Sequence, residues 1–227
     1  IRNCTVSGSA DNGSGFVVQN FGLIENCTAS VDITCGYGLR APNSGYGFVE
    51  QNFGLIRNCV ATGTLRGVGW LAGFCHENEG RIESCYATGD LYNTPLPGVT
   101  SHAQMALFVS YNCRFAVGRE MMEGAGTCIN CFGAGSCHVA DEDLNVNNAS
   151  GFVREYTSLQ SAAKSRQANC YWNTDGLTHG TNKHAFRWAG TALTVAQMQS
   201  QDFVDELNKM AALCGTSTWE YRPGQFP

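Results

Sequence analysis

Apolar residues in this chain come in short bursts separated by glycine and asparagine, and the bursts recur. From Gly47 it reads Gly-Phe-Val-Glu-Gln-Asn-Phe-Gly-Leu-Ile-Arg-Asn-Cys-Val-Ala-Thr-Gly, with a near copy from Gly15 and a looser one from Gly73. The bursts are too short and too glycine-broken for the i, i+3, i+4, i+7 spacing of an amphipathic helix, so they predict short strands. Self-similarity at intervals of roughly 20–50 residues is the mark of a solenoid.

Numbered from the repeated isoleucine, the coils start at Ile1, Ile24, Ile56, Ile82 and Ile129, with another near Ala168. Three strands are predicted in each: after the Asn-Cys pair (Cys27 to Val31), through Gly-Phe-Val (Gly47 to Glu50) and through Gly-Leu-Ile (Gly54 to Arg57). Ile24 and Asn26 share one parity, whereas Cys27, Ala29 and Val31 have the other. A strand changes face only by bending, so the chain turns at Asn26–Cys27. Asparagines at a recurring corner, Asn26 and Asn58, are then expected to stack as an amide ladder. One coil cannot bury its own apolar face, but stacked coils can. The fold class predicted is all-β, a right-handed parallel β-helix of about six coils of three short strands.

Three loop insertions break the period, at 32–46, 92–104 and 114–127. The second contains Pro95 and Pro97, which a sheet ladder excludes. The third carries Met121 and Met122. Strand copies reappear at Ala106–Asn112 and Gly151–Glu155. From about residue 191 the pattern changes. Thr194-Val195-Ala196-Gln197 has the form of a capping box, and Phe203, Leu207, Met210, Ala211 and Cys214 then fall on one helical face before Gly215. The expected organisation is a β-helix over 1–190 and a helical cap and tail over 191–227, the helix closing the C-terminal end of the stack. The N-terminal end is left uncapped.

Composition narrows the partners. Only 15% of the 227 residues are charged, the net charge is −5, and Gly (27) far outnumbers Pro (5). A mild, unclustered negative charge argues against nucleic acid. No apolar run reaches the roughly 18 residues needed to span a bilayer. Twelve cysteines suggest an oxidising compartment, and sequons at Asn3, Asn12, Asn26 and Asn148 point the same way as glycosylation candidates. The chain opens in mid-repeat at Ile1, as a piece of something longer would.

Cys4, Cys27, Cys59 and Cys85 share one repeat position and are expected to stack as buried thiols, since side chains in a parallel ladder point the same way, a poor geometry for disulfides. Cys35, Cys75, Cys113, Cys128, Cys131, Cys137, Cys170 and Cys214 are the disulfide candidates, with connectivity open. Cys128-x-x-Cys131 with Cys137-His138 also has zinc-like spacing, but lacks a second Cys-x-x-Cys. Asp141-x-Asp143-x-Asn145 imitates the start of a calcium loop, yet Val146 and Phe152 stand where Gly and Glu are required. His179 and His184 lie five apart in a polar stretch, a weak hint of metal binding. No metal or cofactor is expected. The acids predicted to face outward, Glu25, Glu50, Glu83 and Asp90, are scattered singly, without the carboxylate pair of a glycosidase.

The repeat consensus Gly-Phe-Val-x-x-Asn-x-Gly-x-Ile-x-Asn-Cys-x-Ala-Thr-Gly resembles the GLUG repeat of secreted adhesins of the filamentous-haemagglutinin type. Asn169-Cys170-Tyr171-Trp172-Asn173, Gly190 to Met198 and Trp219 to Pro227 are similar to the C-terminal module that often follows such repeats. The resemblance covers about residues 1–90 and 150–227. It implies a parallel β-helix at a cell surface or in an extracellular matrix, scaffold rather than enzyme. The expected function is accordingly a noncatalytic structural or adhesive segment whose loops contact surface glycan or protein. One alternative is a filament subunit joined to further copies or neighbouring domains through the uncapped N-terminal end; another is a polysaccharide-active enzyme.

Overall fold

A computed structural model of the chain describes residues 1–36, 44–94, 104–112, 126–138, 149–153, 166–176 and 190–227. These residues are rich in β structure, forming four parallel sheets and two helices. The largest sheet takes the segments after each Asn-Cys corner, among them Thr28–Thr34, Val60–Ala61, Leu65–Gly67, Tyr86–Ala87 and Leu91–Asn93. A second contains Gly45–Tyr46, Trp70–Ala72 and Gln104–Ala106. A third aligns Val17–Asn20, Val49–Asn52, Cys75–Asn78 and Val109–Tyr111, and a fourth Leu23–Glu25, Leu55–Arg57, Arg81–Glu83, Thr127–Ile129 and Arg166–Ala168. Three strands per repeat is therefore too few. Segments such as Gly45–Tyr46 are only two residues long, and two residues carry no alternation to read.

Register is set by the corner. Ile24 lies opposite Ile56 and Ile56 opposite Ile82, but Ile82 lies opposite Cys128, and Cys128 opposite Gln167. The repeats expected to start at Ile129 and Ala168 thus start one residue earlier, because Asn130-Cys131 and Asn169-Cys170 keep the turn in step. Each corner residue, Asn3, Asn26, Asn58, Ser84, Asn130 and Asn169, has φ between 47° and 54° or at 58°. Asparagine tolerates that left-handed conformation better than other side chains do.

Inside, like stacks on like. Phe16, Phe48, Phe74, Phe108 and Phe152 form a column with ring centroids 4.7, 4.8, 4.9 and 4.8 Å apart. From Phe48 onward these rings are fully buried. Each stabilises the stack by about 2–3 kcal/mol through burial alone. Glycine is needed where backbones meet. A Cβ on Gly54 would overlap the Gly22 carbonyl, and one on Gly80 the Gly54 carbonyl.

Of the predicted insertions, Asp32–Thr34 extends a strand, Gly45–Tyr46 is another, Tyr92–Asn93 ends a third, and Gln104 and Thr127 each begin one. Residues 37–43, 95–103 and 113–125, with Met121 and Met122, lie outside the described residues.

The capping box is present, but it heads a short helix, α1 (Val195–Met198). The longer α2 (Gln201–Cys214) has its own N-cap, Ser200, and ends at Gly215 with φ 64°. The position of α2 differs from the expectation. It does not close an end; Phe203, Leu207 and Met198 pack on Phe132 and Tyr171, aromatics of the largest sheet, with Tyr86, Trp219 and Phe226 around them. The Leu207 carbonyl accepts from Asn130 Nδ2 at 3.0 Å, and Thr216 and Ser217 reach Ser84 and Asn58. The helix and tail form a strap along the flank. Tyr86, Phe132 and Tyr171 stand in register on that flank and give the helix its apolar berth. No helix among the described residues is long and apolar enough to cross a membrane.

Candidate functional site

Most recurring polar side chains are used by the stack itself. At the corner, Asn26 Nδ2 donates to Asn3 Oδ1 and Asn58 Nδ2 to Asn26 Oδ1, both at 3.1 Å. Farther along, Asn130 Nδ2 donates to Ser84 Oγ at 3.1 Å and Asn169 Nδ2 to Asn130 Oδ1 at 2.8 Å. Ser84 is too short to reach Asn58. In its place Ser217 N donates to Asn58 Oδ1 at 3.3 Å, and the Ser84 and Thr216 hydroxyls bond at 2.7 Å. A second, buried ladder was not anticipated: Asn20 Nδ2 to Asn52 Oδ1 (2.8 Å), Asn52 to Asn78 (2.8 Å) and Asn78 to Asn112 (2.7 Å). Its signal is in the sequence, as the asparagine that follows the first four Gly-Phe-Val-like bursts; the fifth, from Gly151, has Tyr156 there. Of the sequons, Asn3 and Asn26 are exposed corner residues and Asn12 is half-buried with φ 61°; Asn148 lies outside the described residues. A glycan on Asn26 would remove a proton from the amide that bonds Asn3.

The cysteines require a correction. No disulfide joins any two of the described cysteines. The column of Cys4, Cys27, Cys59 and Cys85 continues through Cys131 and Cys170, which carry the same thiol bond to the carbonyl two residues back: 3.1 Å to Ile129 O and 3.4 Å to Ala168 O. Cys27 N donates to Cys59 Sγ at 3.4 Å and Cys59 N to Cys85 Sγ at 3.3 Å. Cys75 replaces valine opposite Val49 and Val109, Cys128 stands in the isoleucine column, and Cys137 lies opposite Leu91. Cys35 packs with Ile33 and Leu65. Cys214 ends α2, half-buried. Cys113 lies outside the described residues. Burial holds the Cys75, Cys85 and Cys131 thiols well above their usual range and Cys35 near 12. They serve as small hydrophobes, so their number says little about redox compartment. The zinc-like spacing dissolves for the same reason, since Cys128, Cys131 and Cys137 belong to separate columns.

One cluster is not absorbed by the ladders. The His76 ring stacks on Tyr46 at 4.6 Å, while Trp70 and Tyr111 meet it edge-on at 5.6 and 5.3 Å. Repeats of different length bring these residues together: Tyr46 and Trp70 from the second sheet, His76 and Tyr111 from the third. Tyr46 lies opposite only Ser14 and Ala72, which leaves room for the imidazole. Glu77 Oε1 is 3.9 Å from His76 Nε2, and Glu77 Oε2 accepts from Gln51 Nε2 at 2.9 Å. Burial lowers the His76 pKa to about 4. Burial first, and the Glu77 charge second, raise that of Glu50. The result is a neutral imidazole with an unpartnered Nδ1, three aromatic rings, and a carboxyl, Glu50, whose pKa burial raises. Tyr46, Tyr111 and the His76 Nδ1 are closed to solvent, so the partly exposed Trp70 ring is the member of the set that can meet a ligand. The sequence signal was the third repeat's departure to Gly-Phe-Cys-His-Glu-Asn, whose new His and Glu are the cluster's.

The other acids expected to face outward are engaged in pairs. Glu25 bridges Arg2 (3.0 Å) and Arg57 (2.5 Å), and buried Glu83 pairs with Arg81. Asp90 accepts from Ser136 N at 2.9 Å and lies 3.7 Å from His138. Asp141, Asp143, Asn145, Val146, His179 and His184 lie outside the described residues. No family model, curated protein or solved structure matches the chain.

Proposed function

We propose that this chain is a noncatalytic structural or adhesive segment of a cell-surface or secreted protein, wound as a right-handed parallel β-helix. The observation that carries the reading is the stacking of identical side chains at matching positions of successive repeats, Phe16 through Phe152 and Asn20 through Asn112. Parallel strands linked in one sense favour the right-handed crossover. The polar groups that recur are spent on holding repeats together, as in a scaffold. Likeness to the GLUG repeat supports the extracellular setting. The surface partner is a glycan or protein, and the partly exposed Trp70 ring, held by the buried Tyr46 and Tyr111, offers the contact. The test is an array of host and matrix glycans probed with the chain and with Trp70→Ala. Binding that Trp70→Ala abolishes supports the reading; equal binding by both chains sinks the contact.

A second reading, a polysaccharide-active enzyme, is favoured by one observation: the raised Glu50 carboxyl beside Glu77 and His76. Two neighbouring carboxyls, one with its pKa raised, are the kind of pair that glycosidic cleavage uses. Oligosaccharides released from pectin, alginate or chitin by the chain, but not by Glu50→Gln, would replace the first reading with this one.

A further inference from the structure

Side-chain ladders stop at the N-terminal end of the stack, and they stop there differently from the other end. In the buried ladder every amide donates toward the C-terminal side, so Asn20 Oδ1 is its last acceptor, bonded to Gly22 N at 3.1 Å. Gln19 repeats this polarity, donating to Gln51 Oε1 at 2.7 Å. At the corner donation runs the other way, from Asn58 to Asn26 to Asn3, which makes Asn3 Nδ2 the last donor. In the thiol column Cys4 N donates to Cys27 Sγ at 3.4 Å, leaving Cys4 Sγ as the last acceptor of that series. At the opposite end the described asparagines of both series finish on a partner. Tyr171 Oη donates to Asn169 Oδ1 at 2.6 Å, and Asn112 Nδ2 donates to the Arg166 carbonyl.

The same N-terminal face is apolar between its polar points. Phe21 is 73% exposed and Val18 58%, and the Phe16 ring is only partly buried on Phe48. Its edge strand, β1 (Thr5–Asp11), pairs along seven residues with Thr28–Thr34 and is exposed almost throughout. It contains no lysine and no proline, the residues that protect natural sheet edges.

We infer that this face docks one more repeat of the chain's own kind, running parallel. The partner supplies an asparagine amide that donates to Asn20 Oδ1, a corner asparagine whose carbonyl accepts from Asn3 Nδ2, and an aromatic ring over Phe16. The polarity of all three ladders continues unbroken across such a contact. A second copy joined through its C-terminal end does not meet these terms, because its last Gly-Phe-Val burst, from Gly151, has Tyr156 where the ladder asparagine would stand. The inference rests on the stacked-repeat reading above.

The experiment places a second copy of residues 56–81 directly ahead of Ile1, in phase because Ile82 follows Arg81 as Ile1 would follow the copy. Amide hydrogen exchange and thermal melting are compared with a chain carrying a scrambled copy. The expected result is at least about ten-fold slower exchange in Thr5–Asp11 and a raised Tm, with neither from the scramble. Asn78→Asp in the added copy removes the donor facing Asn20 and is expected to lose most of the gain. Unchanged exchange in Thr5–Asp11, or equal gain from the Asp copy, overturns the inference. So does concentration-dependent association of the unextended chain through this edge, which assigns the face to a second copy. Free exchange in Thr5–Asp11 with Val49–Asn52 and Cys75–Asn78 still protected sinks only the docking face. Free exchange through all of these strands sinks the stacked-repeat reading.

Discussion

Asn52 and Asn58 are both ladder asparagines, yet they hold the chain in different ways. Asn52 is fully buried, donating to Asn78 and accepting from Asn20 and Gly54 N. Its loss strands polar groups on both sides, and each stranded buried group costs about 1–3 kcal/mol. Asn52→Ala is therefore expected to lower unfolding free energy by about 3 kcal/mol or more in urea titration. Asn58 sits at the surface with φ 51°. Asn58→Ala adds left-handed strain of about 1–2 kcal/mol, which Asn58→Gly avoids, so the glycine variant should be the more stable of the two. His76 provides a residue-level test by pH. Its folded pKa, near 4, lies below the ordinary 6.5, so the unfolded chain takes up the proton first. The stability it contributes is complete above about pH 6.5 and is lost as pH falls toward 4, on the order of 3 kcal/mol. Glu50 acts oppositely, because its raised pKa makes the folded state gain as pH falls. His76→Gln should remove the His76 loss, and urea midpoints between about pH 7 and pH 4.5 should then fall less than in the parent.

At the scale of elements, α2 and its tail fasten repeats that the sheets already join. Trp219 packs against Tyr86 and Phe132 with centroids 5.7 and 5.6 Å apart, and its N–H and carbonyl bond Asn208. Trp219→Ala is expected to cost about 2 kcal/mol, below the value for a fully buried ring. It should also unprotect the α2 amides in hydrogen exchange before those of the sheets. The helix itself was legible in Phe203, Leu207 and Ala211, and so was Gly215 as its end. Its berth was not. Nothing local to α2 says that Tyr86, Phe132 and Tyr171 line up on one flank, since that depends on the register of three repeats. The repeats were legible because every column needs the same kind of side chain at each turn. The His76 cluster was not legible because its rings come from four strands of two sheets and meet only through their register.

At the scale of the whole molecule, the described thiols are unbridged, so the sheets they line are expected to hold equally well with and without reductant. Iodoacetamide is expected to modify exposed Cys4 and then Cys214, while Cys75, Cys85 and Cys131 react only on unfolding. Mass spectrometry before and after denaturant checks this; early labelling of Cys85 would mean that the column opens in the native state. The opposed directions of the two asparagine ladders have an electrical consequence for the stack. An amide is a dipole, and a file of aligned dipoles builds a field that strengthens with length. Here the buried file points one way along the stack and the corner file the other, so each added repeat contributes two vectors that largely cancel. Lengthening such a stack would not polarise it.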